Sequence, residues 1–246
     1  AGGGTGKATD IDNYDTADKP YQQLVVWNPD EDEILGGYRF YVCDDLPYGP
    51  DGNIKLATNG LFRFSEKFVK EFLPTTIELG RSFVVPRYQS RNAGKKGIFA
   101  LDNLWDGLGA LLKRYPHIAY FFGKVTMYTH FDKLGRDLIL YFLKTFFPDP
   151  DGLVRPLDPL PFYHTEDELA AYFTGNDLQE NLRILSKTVR QQGEFVPPLI
   201  NSYINLSPTM RSFGTALNTH FGDVEETGIM IKVEDIYEKK KERHMQ

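Results

Sequence analysis

Cysteine is almost absent from this sequence: Cys43 stands alone among 246 residues. One thiol excludes an internal disulfide framework and a cysteine-built metal site, and it is compatible with a reducing compartment. No run of about 18 apolar residues occurs, so no transmembrane helix is expected. No signal-peptide pattern opens the chain either. Several catalytic signatures are also missing. There is no G-x-S-x-G elbow, no H-E-x-x-H, and no G-x-G-x-x-G behind a strand. The five histidines (His117, His130, His164, His220, His244) are scattered, and none has an Asp five residues on. His130 and Asp132 are too close in sequence to face each other on a helix. Positive charge is in deficit, with a net charge of -6, which argues against general nucleic-acid binding. No residue stands out as the carrier of a covalent intermediate. A reaction in which two substrates are positioned and one carboxylate takes a proton fits better.

What is present is an ordinary globular composition, 41% hydrophobic and 25% charged, rich in aromatics with 18 Phe and 14 Tyr. The length fits one large domain or two small ones. The chain starts at Ala1 without Met, and AGGGTGK reads as the middle of something, so a preceding segment is expected. AGGGTGKA misses the P-loop because Ala8 follows the lysine. Residues 1–20 read as a flexible, Gly-rich and then acidic leading segment. Asp10-x-Asp12-x-Tyr14 lacks the further ligands of a calcium loop.

A hairpin follows, from the strands 21–27 and 34–43, with Arg39 among apolar neighbours on the second. Ser65 caps a short helix that stops before Pro74. Beyond residue 97 the pattern predicts a helix at 97–114, a strand at 117–128 broken by Gly123, and a helix at 131–147. A Pro-rich connection leads to Thr165-Glu166-Asp167-Glu168, a capping box that opens a helix at 166–173, and another helix spans 177–191. FVPPLINSYINL and GIMIKVEDI read as late strands, and 238–246 as a solvated tail. The alternation of strands and helices predicts an α/β (α+β) domain with a mixed sheet over 21–237, carrying a helical insertion at 148–193.

The stretch Thr75–Gly97 organises the rest. Ile77, Leu79, Phe83, Val84 and Val85 make a strand that Pro86 ends. A turn with Arg87, Arg91, Lys95 and Lys96 and no acid then opens a helix. Free N–H groups at a helix start, with Gly94 and Gly97 permitting close backbone approach, suit a phosphate. An ordinary strand–turn–helix with solvated lysines is the alternative. Glu78 and Arg81 are three apart on the strand, hence on opposite faces unless a bulge near Gly80 brings them together. They are either a structural ion pair or a base with a positioning arginine.

At Glu78-Leu79-Gly80-Arg81 and the basic turn, the sequence resembles the GNAT-fold N-acyltransferases that make lipoamino acids. These are the ornithine-lipid and glycine-lipid synthases, labelled "hemolysin-like", which are related to N-acyl amino acid and acyl-homoserine-lactone synthases. Gly36-Gly37-Tyr38-Arg39 is similar to the family's Gly-x-x-Arg strand and Glu78-x-x-Arg81 to its Glu-x-x-Arg strand. Arg87-Tyr88-Gln89 with the following glycines is similar to its acyl-carrier phosphate turn, and PPLINSYINLSPTMRSFGTAL with GIMIKVEDI to its last segment. The glycine-lipid branch is the nearest in character.

The resemblance implies a GNAT-like, largely antiparallel central sheet flanked by helices. It implies direct transfer of a fatty acyl group, often 3-hydroxylated, from acyl carrier protein to the α-amine of an amino acid, glycine or ornithine. The thioester of the carrier protein, or of CoA, is a co-substrate, and neither a tightly bound cofactor nor a metal is implied. Glu78 and Arg81 take the catalytic roles and Arg39 the amino acid's carboxylate. Arg87, Arg91, Gly94, Lys95, Lys96 and Gly97 meet the phosphopantetheine and the carrier. Aromatics on the strand 117–128 and the helix 132–147 would line an acyl tunnel. The expected setting is cytoplasmic, with peripheral contact to the membrane's inner face through the lipid product and none with nucleic acid. The turn carries Lys96 where the family has Gly or Ala, and the fold's first strand and helices would precede Ala1. Two other readings stand beside this one: a CoA-dependent acyltransferase on a small amine, and a non-catalytic GNAT-like module binding a lipid or a partner.

Overall fold

The structure is a computed structural model that describes residues 11–46, 54–85 and 95–244; residues 95–104 and 244 are described by their backbone alone. Strands β1 (Gln22–Asn28) and β2 (Glu33–Val42) form the expected hairpin. A three-residue strand, β3 (Phe62–Phe64), precedes a π-helical segment, Phe68–Phe72. The Ser65 hydroxyl accepts from Phe68 N at 3.1 Å, as its capping role requires. Then come β4 (Thr76–Val84), helix α1 (Lys95–Arg114), β5 (Tyr120–Tyr128) and helix α2 (Lys133–Phe146). Strand β6 (Val154–Pro156) and helices α3 (Glu166–Ala170), α4 (Leu178–Gln191) and α5 (Pro198–Ile204) lead to β7 (Arg211–Asn218), β8 (Val224–Lys232) and helix α6 (Glu238–His244).

Six strands form one sheet in the order β1-β2-β4-β5-β8-β7, and β3 with β6 makes a separate ribbon. All neighbours in the large sheet are antiparallel except β4 and β5. The mixed, largely antiparallel sheet with helices against it is the GNAT architecture the sequence implies. Strand alternation divides the apolar residues between its faces. Ile77 and Leu79 point to the helical side, where Leu108, Leu138, Ile139 and Phe142 pack. Phe122, Phe213 and Met230 point to the other side, against Phe62 and Phe68.

The helix ends follow their capping chemistry. Asp132 accepts from Gly135 N at 2.8 Å, Asp177 accepts from Glu180 N at 2.8 Å, and Thr165 with Glu168 completes the capping box.

Four expectations need correction. FVPPLINSYINL is not a strand: Pro198 at the first helical position starts α5, where its missing N–H costs nothing, and the strand is β7 further on. Gly123 does not break β5. It pairs with Leu79 and Ile229, and a Cβ there would lie 2.6 Å from Leu79 O, so glycine is what lets β4 approach. The leading segment is not featureless over residues 11–20, where Asp12 Oδ1 accepts from Tyr14 N at 2.9 Å and Tyr21 N reaches Tyr14 O at 3.0 Å. The solvated tail is helical over Glu238–His244 and lies beside α1.

Candidate active site

Strand β4 carries one extra residue relative to β2. Gly37 pairs with Phe83 and Arg39 with Gly80, so Arg81 and Ser82 lie opposite Tyr38 alone. Arg81 adopts a φ of 45°, the left-handed region that L residues seldom enter. This is the bulge that the position of Glu78 and Arg81 called for. It turns the Arg81 side chain to the face already occupied by Glu78, Arg39 and Tyr41.

The bulge coincides with a fork in the sheet. β4 and β5 pair from Thr76–Tyr120 to Leu79–Gly123. Beyond that rung β4 continues to Val84 paired with β2, and β5 continues to Tyr128 paired with β8. The two parallel strands therefore part next to Glu78. A Cβ on Gly80 would meet nothing within 4 Å, which marks open space on that side. Diverging strand edges offer backbone donors and acceptors to an extended, amide-bearing chain.

Glu78 is 1% exposed. The Tyr21 hydroxyl donates to its Oε2, and Thr58 N donates to Oε1 at 3.1 Å. Tyr21 in turn accepts from Ala57 N at 2.8 Å. Arg39, 5% exposed, donates from one nitrogen to Asp12 Oδ2 at 2.8 Å and to Asp15 Oδ1 at 3.1 Å, and its guanidinium lies 4.8 Å from the Tyr21 ring centre. Arg81 donates to the same Asp12 Oδ2 at 3.0 Å and stands 5.3 Å from the Phe221 ring centre. Its side chain is the more open of the two arginines, at 21%. The guanidiniums of Arg39 and Arg81 are paired with the carboxylates of Asp12 and Asp15, while the partners of Glu78 are the neutral donors Tyr21 and Thr58 N–H.

The ionisation of the surrounding groups follows from these contacts. Burial acts to raise the Asp12 carboxyl, but the hydrogen bond and charge of Arg39, with Tyr14 N–H and Arg81, hold it below the usual range. Burial, then the Glu78 charge, pushes the Tyr21 phenol far up, so it remains a donor. Burial likewise lifts the Cys43 thiol well above its ordinary value, reinforced by Glu78. A thiol held in this way stays protonated.

Of the residues singled out in the sequence, Glu78, Arg81 and Arg39 come together here. Arg87, Arg91 and Gly94 lie outside the described residues. Lys95, Lys96 and Gly97 are seen only as the first turn of α1. The aromatics Phe142 and Phe147, expected at a tunnel wall, are 0% and 1% exposed, and the Phe142 ring lies in the core at a tilt to those of Phe146 (4.6 Å) and Phe147 (6.2 Å). Sequence reasoning missed Tyr21, Thr58, Asp12 and Asp15. The signal for the two aspartates was present, an acidic pair at i and i+3 in a chain whose strands β2 and β4 each carry an arginine among apolar residues. Nothing local marked Thr58. It also missed the buried link from Arg136 to Glu225 and Asp137, which holds His164 Nδ1 at 2.9 Å and ties α2 to β8. Among the described residues no cluster suits a metal ion, and no helix is long and apolar enough to cross a membrane.

A forked mixed sheet with a bulged strand is the GNAT architecture, and the matches that follow make the chain an N-acyltransferase of that fold. The profile of the acetyltransferase (GNAT) domain matches residues 1–96. A glycine N(alpha)-acyltransferase of Bacteroides thetaiotaomicron is 55% identical over 246 residues, 100% of this chain and 73% of that protein. One of Phocaeicola vulgatus is also 55% identical over 246 residues, 100% of this chain and 76% of its own. The chain belongs to the glycine N(alpha)-acyltransferase family. No solved structure matches it.

Proposed function

We propose that the protein transfers a fatty acyl group, 3-hydroxylated in its natural form, from acyl carrier protein to the α-amine of glycine. The reading rests above all on one observation: Glu78 sits at the fork between β4 and β5 with open space over Gly80 beside it. The name shared by two relatives of 55% identity supports glycine as acceptor. The thioester arm enters along the diverging strand edges. The carboxylate of Glu78 draws the ammonium group of glycine, and Arg81, the more open of the two arginines, faces its carboxylate, with Arg39 held behind it by Asp12 and Asp15.

Glu78 first takes one proton from the bound ammonium and passes it to solvent, and the free amine nitrogen then attacks the thioester carbonyl. The tetrahedral intermediate collapses, the carbon–sulfur bond breaks, and the thiolate leaves as thiol with the proton released from the amine. Tyr21, kept protonated, holds the carboxylate in place. The turn 87–97 meets the phosphate of the donor's arm, and such charge contacts weaken with salt. The product is an anionic amphiphile, which suits work at the cytoplasmic side of a membrane.

The test is direct. Purified protein given a 3-hydroxyacyl-carrier thioester and an equimolar mixture of glycine and ornithine should yield N-acylglycine as the main product by mass spectrometry. N-acylornithine as the main product would overturn the acceptor, and no N-acyl product from either would overturn the reaction.

A further inference from the structure

The helices α4 and α5 enclose a groove of about 510 Å³ that the chemistry above does not use. Its walls include Arg183, Lys187 and Arg190 on α4 and Asn201 on α5, with Leu182 in the floor. The three cations are spaced i, i+4 and i+7, so they share one face of the helix over about 10 Å. All three are exposed. No acidic residue lines the groove, and none of the three makes an ion pair within the described residues. Arg190 instead lies 5.6 Å from the ring of Phe195, itself 51% exposed. The acids nearby are committed elsewhere: Glu180 accepts from Asn176 N at 2.8 Å and Glu194 from Asp132 N at 3.4 Å. In a chain of net charge -6, an unpaired basic stripe is a local exception.

We infer that this groove docks an acidic helix of the protein that carries the acyl donor. The inference rests on the carrier-protein reading above. Charge complementarity selects an anionic partner. The shallow groove between α4 and Asn201 of α5 suits a convex rod better than a flat bilayer. Carboxylates one turn apart on a helix laid along α4 match the repeat of the three cations, and Phe195 closes the end of the contact with an apolar ring.

The test compares two donors on wild type and the triple variant R183E/K187E/R190E. The replaced side chains are exposed and lie outside the catalytic cluster, so the fold should persist, checked by thermal melting. With the carrier-protein thioester, kcat/KM should fall about tenfold or more, through KM, and wild type should show a matching loss on raising salt. With the same acyl group on CoA, the variant should stay within about twofold of wild type. A variant that uses the carrier thioester as well as wild type does overturns the docking role alone. A wild type active with acyl-CoA and inactive with the carrier thioester overturns the carrier reading and the docking role together. Binding of wild type to phosphatidylglycerol vesicles, lost in the variant while carrier kinetics are unchanged, assigns the stripe to a membrane and also overturns it.

Discussion

Glu78 and Arg81 were legible as a pair because the strand around them is apolar and charge there needs a reason. What the spacing alone left open was their geometry, and the backbone of Arg81 decides it. Tyr21 and Thr58 were illegible for a physical reason: the bonds to Glu78 span 57 and 20 residues, beyond any local pattern. These bonds have measurable consequences. Tyr21→Phe leaves a buried carboxylate oxygen and the Ala57 N–H without a partner, which should destabilise the fold by about 1–3 kcal/mol in urea unfolding and lower turnover. Wild-type stability in that variant would remove Tyr21 from the site. Asp12 makes a pH prediction. Its folded carboxyl is held below the unfolded value, so its stabilising contribution is complete above about pH 4 and is lost as pH falls through the lowered folded value. The gap in melting temperature between wild type and Asp12→Asn should therefore be open at pH 6 and narrow as pH falls below about 4. A gap that does not change over this range would contradict the role of Asp12.

At the scale of elements, the strands and long helices were readable from periodicity, while the late segment 195–206 was not. Its Val, Ile and Tyr content favours strand, but consecutive prolines set a helix start, and burial of Ile200 and Tyr203 on one face does the rest. The fork itself has no sequence signature apart from Gly123. That glycine stands against Leu79 O where only a hydrogen fits, at the last rung before β4 and β5 part. Gly123→Ala should force the strands apart there, costing about 1–3 kcal/mol of stability and reducing activity by displacing Glu78. Unchanged melting and kinetics in Gly123→Ala would show that the close approach is not needed.

For the whole molecule, the α/β alternation and the family motifs pointed to the GNAT fold, and the sheet order follows it. The sequence could not reveal how the leading segment returns to the sheet, because the ion pairs of Asp12 to Arg39 and Arg81 join residues 27 and 69 positions apart. That return packs residues 12–15 against Arg39 and Arg81, with the Glu78 cluster on one face of the sheet and the basic α4–α5 groove among the helices that cover the other. The account's central claim is that Glu78 takes the proton of the acceptor amine. The measurement is N-acylglycine formation by Glu78→Gln, an isosteric change that keeps one acceptor oxygen and sets an amide NH2 against the other donor, alongside its melting curve. A loss of about 10²–10⁴-fold in kcat in a protein that still melts cooperatively, destabilised by about 1–3 kcal/mol at most, is the expected result; turnover equal to wild type in a folded Glu78→Gln protein would contradict the claim.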